Sequence, residues 1–296
     1  MSMQKYEAFV RTVELGSLSL AAEELGYTQS GVSHMLSSLE DELGIRLVTR
    51  SRAGVRLTDA GERVLPVMRG ILGGEEQLRQ IIADVRGLDA GTVRVGAFTS
   101  VAVHWLPEIL KEFQDVYPGI RFQLKNGDYY DVENWLHSRE IDVGFVRMPF
   151  EGGFFCTPLV EDRLLAILPK GHPLARRKRF PIKQAAREPF ISLPESSAQD
   201  TRTPLDAAGV KPDIRFTTKD DYALIAMVAS GLGMSIVPEL LLSGRENEVA
   251  ALELDTPSSR TIGLAMQPEE TVGPATVRFV SHVMRWVREN CPSAVP

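Results

Sequence analysis

The stretch SLSLAAEELGYTQSGVSHMLSSLEDELGIRLVTRSRAGVRLTDAG, Ser17 to Gly61, decides how this chain is read. Two short segments with apolar stripes meet at a turn containing Gly26, and an arginine-studded hairpin follows. That order is the layout of a winged helix-turn-helix and points to double-stranded DNA as a partner.

Working outward, Tyr6, Phe9, Val10 and Val13 recur at i, i+3, i+4 and i+7, which predicts a first helix ended by Gly16. Ser19 is the expected N-cap of the second helix, with Glu23 and Glu24 placed to favour its positive end. Leu18, Ala21, Ala22 and Leu25 share its inner face. Gly26 stops it, and Thr28 caps a third helix expected over about 29–43. There Val32, Leu36, Leu39 and Leu43 face the core. Ser30, Ser33, His34 and Ser37 take the other side, with Gln29 at the helix start. Short or amide-bearing hydrogen-bonding side chains suit a helix in the major groove, where base edges offer donors and acceptors. Such a face alone is more often plain solvated surface. The Gly26 turn before it and the arginines after it favour DNA.

Residues 45–58 hold four arginines and no acid. Two short strands with a turn at Ala53-Gly54 are expected, and Arg50, Arg52 and Arg56 would project from this wing to phosphates or a minor groove. The chain as a whole carries 33 Lys/Arg against 39 Asp/Glu, a net charge of −6, which excludes a uniformly basic nucleic-acid coat. Even residues 1–61 have six basic and eight acidic side chains, including the compact run Glu40-Asp41-Glu42. DNA binding must therefore be focused locally.

At 296 residues, 44 % hydrophobic and 24 % charged, the chain suits two or three domains with a sizeable core. The two cysteines, Cys156 and Cys291, are far apart, and His104, His137 and His282 lack ligand spacing, so neither a disulfide framework nor a metal site is expected. The N-terminal segment has no apolar signal-type core, and no run of about 18 apolar residues exists. A cytoplasmic protein without a membrane span is the expectation.

After the wing, Thr58 caps a helix expected to run toward Gly87. Val64, Leu65, Met68, Ile71, Leu72, Leu78, Ile81, Ile82 and Val85 form an almost continuous seam that should pair with a second copy. Pro66 and Gly73-Gly74 interrupt it and predict a kink or loosening. From Thr92 the texture becomes alternating strands and helices, an α/β region, with an amphipathic last helix over about 275–288.

The segments FVRTVELGSLSLAAEEL (9–25), TQSGVS (28–33), LEDELG (39–44), RLVTR and VRLTDAG resemble the N-terminal signature of the LysR-type transcriptional regulators. Val48, Gly31 and His34 depart from the usual residues of that signature, and His34 puts any inherited base preference in doubt. The resemblance implies a DNA-binding domain at 1–58, a dimerisation helix at 59–88 and an effector-binding domain at 91–296. The last would resemble periplasmic binding proteins, with one Rossmann-like lobe of about 91–163 plus 267–296 and another of about 164–266. The crossings would fall near Arg163–Leu168 and Ile262–Gln267. The resemblance also implies homodimers through the linker helix, homotetramers, operator DNA, a small-molecule effector and RNA polymerase as partners, and no catalytic residues or cofactor.

Ligands of open α/β sheets sit beyond the carboxyl ends of strands. Thr99 and Ser100 occupy such a place before a helix, where they would bind an anion, cap the helix, or do both. The resemblance adds Asp128, Arg147, Ser196 and Ser197 to the cleft. Arg147 would clamp a carboxylate-bearing metabolite or pair with a nearby acid, and Asp128 would favour a hydroxyl- or amine-bearing one. Cys156 reads as a buried thiol rather than a redox centre, since no second cysteine lies near it. A transport-type solute-binding protein would share the α/β fold but needs export. An enzyme is disfavoured because no nucleophile elbow, metal cluster or phosphate loop is present; Gly231-Leu232-Gly233 follows a helix and enters a strand.

Overall fold

The computed structural model describes residues 2–51, 54–87, 89–194, 198–291 and 294–295. Its first unit has helices α1 (Met3–Leu15), α2 (Leu18–Leu25) and α3 (Gln29–Leu43), then a hairpin of β1 (Val48–Ser51) and β2 (Gly54–Leu57). Gly16, Gly26 and Gly44 close the three helices in the left-handed conformation, at φ 61°, 71° and 68°, where a side chain would be strained. Ser17, rather than Ser19, caps α2, accepting from the Leu20 amide at 3.4 Å. Glu23 and Glu24 accordingly fall in its last turn, away from the positive end. Tyr6, Phe9, Val10, Leu36, Leu39, Leu47 and Val48 form the core of this unit.

Thr58 caps α4 (Asp59–Val85), accepting from the Gly61 amide at 3.0 Å. The helix runs unbroken through Pro66 and Gly73-Gly74. Its apolar seam is divided. Leu65 and Met68 are buried in the core of the first unit, whereas Leu78 and Val85 are 56 % and 83 % exposed, as is Val67, which the expected seam did not include, at 63 %. Gly61 is where α4 crosses the wing: a Cβ there would collide with the Leu47 carbonyl.

The rest is a two-lobed α/β unit. The first lobe contains β3 (Gly91–Ala97), α5 (Thr99–His104), α6 (Leu106–Val116), β4 (Ile120–Asn126), α7 (Tyr129–His137), β5 (Val143–Met148) and β6 (Phe155–Leu168). The second adds β7 (Arg179–Phe180), β8 (Pro189–Ser192), α8 (Gln199–Ala207), β9 (Asp213–Thr217), α9 (Asp221–Ala229), β10 (Ser235–Pro238) and β11 (Ala250–Leu254). The chain then returns through β12 (Ser259–Met266) to α10 (Pro274–Asn290). The helical stretch after β3 is broken at Trp105, which separates α5 from α6, and Pro107 stands in the first turn of α6.

Strand order in the first lobe is β4-β3-β5-β12-β6, and the long β6 joins the two lobes. Up to Arg163 it pairs with β12; from Leu164 it pairs with β10 and β11. β12 pairs with β5 and β6 from its first residues, so the return crossing ends near Ser259, earlier than Ile262–Gln267. Phe113, Phe145, Phe279 and Trp286 anchor the core that α6 and α10 share with the first sheet. Val132, Leu136 and Ile141 pack on its other face. Phe180, Phe190 and Ile236 are among the core residues of the second lobe.

Candidate functional site

Two surfaces carry the chemistry. On the first unit, Gln29, Ser30 and His34 are exposed on α3, and Ser33 and Ser37 are half-buried beside them. The wing does not stand away from this helix. Arg50 of β1 donates to the Ser33 hydroxyl at 2.7 Å and to the Ser37 hydroxyl at 3.2 Å, drawing a guanidinium onto the polar face. Arg56 is exposed on β2, in register with Thr49. Thr28 spends its hydroxyl locally, accepting from the Gly31 amide at 3.1 Å and lying 3.1 Å from the Ser30 hydroxyl. Arg52 and the Ala53 half of the expected turn lie outside the described residues. Gly54 belongs to β2, paired with Ser51.

Glu40 is the residue sequence reasoning misplaced. It belongs to the compact acidic run Glu40-Asp41-Glu42, yet it is buried. Its Oε1 accepts the Leu47 and Val48 amides at 2.7 and 3.1 Å, and its Oε2 takes Arg46 at 3.1 Å. A buried carboxylate that accepts the amides of Leu47 and Val48, at the entry to β1, ties the wing to α3. The contact spans only seven residues, but no periodicity announces it.

The second surface is a cavity of about 550 Å³ between the lobes. Thr99, Ser100, Asp128, Tyr129, Asp131 and Asn126 line one wall; Asp200, Thr201, Lys219, Asp221 and Leu224 line the other, with Arg260 between them. Ser100 is buried and accepts from Arg260 Nη2 at 2.7 Å. Burial pushes the Asp221 carboxylate above the usual range, although the neighbouring Thr99 hydroxyl opposes the shift. Asp128 caps α7 in a reciprocal box with Asp131, at 2.9 and 3.0 Å, while also lining the cavity. Arg147 donates through Nε to Asp200 at 2.9 Å and through Nη2 to Thr203 at 3.4 Å, and it is not among the lining residues. Ser196 and Ser197 lie outside the described residues.

Sequence reasoning missed the centre of this cleft. Arg260, 4 % exposed, contacts Asp162, Asp200, Tyr129 and Ser100. Burial by itself would lower its pKa; the charges around it raise it, so it stays cationic. Tyr129 bonds Asp200 at 2.5 Å, and burial pushes its phenol far above the ordinary value. Asp162 accepts from Arg260 Nε and Nη2 at 2.9 and 2.7 Å. Residues 100, 129, 162, 200 and 260 come from five separate segments, and none belongs to a local motif with another. A lone arginine at the start of a strand gave no signal.

Away from the cleft, Cys156 is half-buried on β6, and burial raises its thiol pKa, the opposite of what a reactive thiolate needs. Among the described residues there is no group of three or more His, Cys, Asp or Glu side chains able to hold a metal. Among them also, no helix is long and apolar enough to cross a membrane.

Comparison with known proteins matches both parts of the chain to known domains. The family described as "Bacterial regulatory helix-turn-helix protein, lysR family" matches residues 3–62, and "LysR substrate binding domain" matches residues 86–288. YvbU of Bacillus subtilis, an uncharacterized HTH-type transcriptional regulator, is 31 % identical over 95 % of this chain and 97 % of its own. Full-length OxyR from Pseudomonas aeruginosa shares the fold with a TM-score of 0.79 at 21 % identity, over 100 % of both chains. CbnR, a LysR family transcriptional regulator, does so with a TM-score of 0.68 at 23 % identity, over 96 % of this chain and 99 % of its own. A DNA-binding head and a ligand-binding domain thus lie in one chain, which belongs to the LysR family of DNA-binding, effector-modulated transcription regulators.

Proposed function

We propose that the chain reads a duplex operator through Gln29, Ser30, Ser33, His34 and Ser37, with Thr28 fixing the start of the helix and Arg50, Arg52 and Arg56 on the backbone. A small-molecule effector sits between the lobes against Thr99, Ser100, Asp128, Ser196 and Ser197, with Arg147 acting on it only through Asp200, and its binding changes the separation of two heads. It achieves this only through a difference in affinity between the two arrangements. The chain catalyses no turnover, resides in the cytoplasm, and acts on RNA polymerase at the promoter.

The observation that carries this reading is the outer stripe of α4. Val67, Ile71, Leu78, Ile81 and Val85 are exposed, and with Gly74 they recur at alternating intervals of four and three residues. That is the spacing of a two-helix seam. A homodimer through it brings two α3 helices to a roughly palindromic site, and two dimers make a homotetramer.

Fluorescence anisotropy on operator-sized duplexes tests the proposal. Affinity should fall with salt, with a log–log slope of roughly −0.9 per phosphate neutralised. Substituting His34 or Gln29 should change which duplex is preferred, whereas Arg56→Ala should weaken all duplexes alike. Equal affinity for unrelated duplexes at physiological salt would sink the specific reading.

A further inference from the structure

We propose that Asp200 is a resident counter-anion that sets the ligand class of the interlobe cleft. With it in place the cleft excludes carboxylate effectors and accepts a cationic, ammonium-bearing one. The inference rests on the reading of the cleft as the effector site.

A guanidinium has five N–H donors, and those of Arg260 are all engaged. Nε and Nη2 reach Asp162 at 2.9 and 2.7 Å, Nη2 also reaches Ser100 at 2.7 Å, and Nη1 reaches Asp200 at 3.2 Å and the Tyr129 hydroxyl. No pair of donors remains for the parallel bonds by which arginine grips a carboxylate. Arg147 is directed the same way, with Nε on Asp200 Oδ1 at 2.9 Å. Asp200, itself 6 % exposed, therefore stands between two guanidinium groups, one oxygen toward each, where an incoming carboxylate would have to stand. Tethered there by α8, it competes at high effective concentration.

The remaining wall is acidic. Asp128, Asp131, Asp200 and Asp221 line the cavity against Lys219 and Arg260. Among the described residues, the Asp131 carboxylate accepts one N–H, from Asp128, and the Asp221 carboxylate has the Thr99 hydroxyl as a neighbour. A carboxylate offers about four acceptor sites, so the wall has lone pairs to spare where Arg260 has no donors left, and four carboxylates outnumber the two lining cations. An ammonium group supplies both the donors and the missing charge.

Thermal unfolding of the full chain tests this with methylamine, ethanolamine and putrescine on one arm and acetate and succinate on the other, against sodium chloride at equal ionic strength. Wild type should rise in midpoint with at least one amine and not with the carboxylates. Asp200→Ala should lose the amine response and gain a saturable rise of several degrees with acetate, which takes the vacated place between Arg147 and Arg260. Asp200→Asn keeps the volume filled; it should lose the amine response without the acetate gain, and it serves if Asp200→Ala does not fold. Stabilisation of wild type by carboxylates but not amines, no amine response in wild type, or indifference of a folded Asp200→Ala to acetate each overturns the proposal. Operator affinity is read in parallel. Amine binding that leaves it unchanged would count against the effector reading while leaving the ligand class in place.

Discussion

Arg69, buried midway along α4, donates through Nη1 to the Glu140 carboxylate at 2.9 Å. Through Nη2 it also reaches Glu14 of α1 at 3.2 Å, and Nη1 touches the Ser138 carbonyl. Glu140 in turn bonds Lys125 at the end of β4, whose next residues, Asn126 to Asp128, line the interlobe cavity. Glu14 bonds Arg11, which reaches Glu24 on α2. One guanidinium thus joins the DNA-binding head, the linker helix and the edge of the ligand-binding lobe.

Arg69→Ala should lower stability by about 1.5–3 kcal/mol, the range for hydrogen bonds to charged groups. Glu14 and Glu140 are partly solvated, so the loss should fall toward the lower end. Operator binding should respond less to whatever shifts the lobes. Equilibrium denaturation and anisotropy titration on the same variant measure the two effects.

Glu40→Ala should cost about 1.5–3 kcal/mol, because two buried amides of the wing lose a charged acceptor. The wing should lose its fixed angle to α3 before the rest of the head unfolds. Faster hydrogen exchange at Leu47 and Val48 with a preserved α1–α2 signal is the expected result.

Leu78→Glu should disrupt self-association. Burial of an exposed leucine contributes about 1.5–3 kcal/mol per copy, so removing it from both chains weakens the dimer by at least about a hundredfold. The helix itself should persist, since Leu78 faces outward. Sedimentation velocity read beside far-UV circular dichroism separates the two outcomes.

His282 lies buried on α10, with Phe113 against its ring, Arg285 Nη2 2.7 Å from Nδ1 and Glu112 at 4.0 Å from Nε2. Burial first, and the Arg285 charge second, hold its pKa below 6.5. A base depressed in the folded state binds fewer protons there than when unfolded, so stability rises as pH rises toward 6.5 and falls as pH drops below it. His104 is depressed by burial in the same sense. Denaturation at about pH 5 and pH 7.5 should show the acid loss, and His282→Gln should reduce it without abolishing it.

Local signals were readable wherever one segment contained its own reason for folding. The glycine stops at 16, 26 and 44 and the Thr28 and Thr58 caps all act within one helical turn, so their residue types reveal them. The Ser19 expectation failed because two serines stand within capping distance of the same helix and only the backbone path selects Ser17. The linker seam was legible as a stripe. Which part of it packs on its own head was not, because that depends on where α1 lies against α4.

By itself, then, the sequence determined the winged head, its arginine wing, the capped linker helix and the α/β class of the remainder, because each depends on periodicity or on residues a few positions apart. Only the tertiary structure decided that Glu40 is internal, that Arg50 folds onto Ser33 and Ser37, and that Arg69 joins three units. Only it placed Arg260 and Asp200 at the centre of the cleft. Those pairings link side chains from separate strands and helices. Each depends on a charged group meeting its partner across space, a matter of distance that no spacing along the chain encodes.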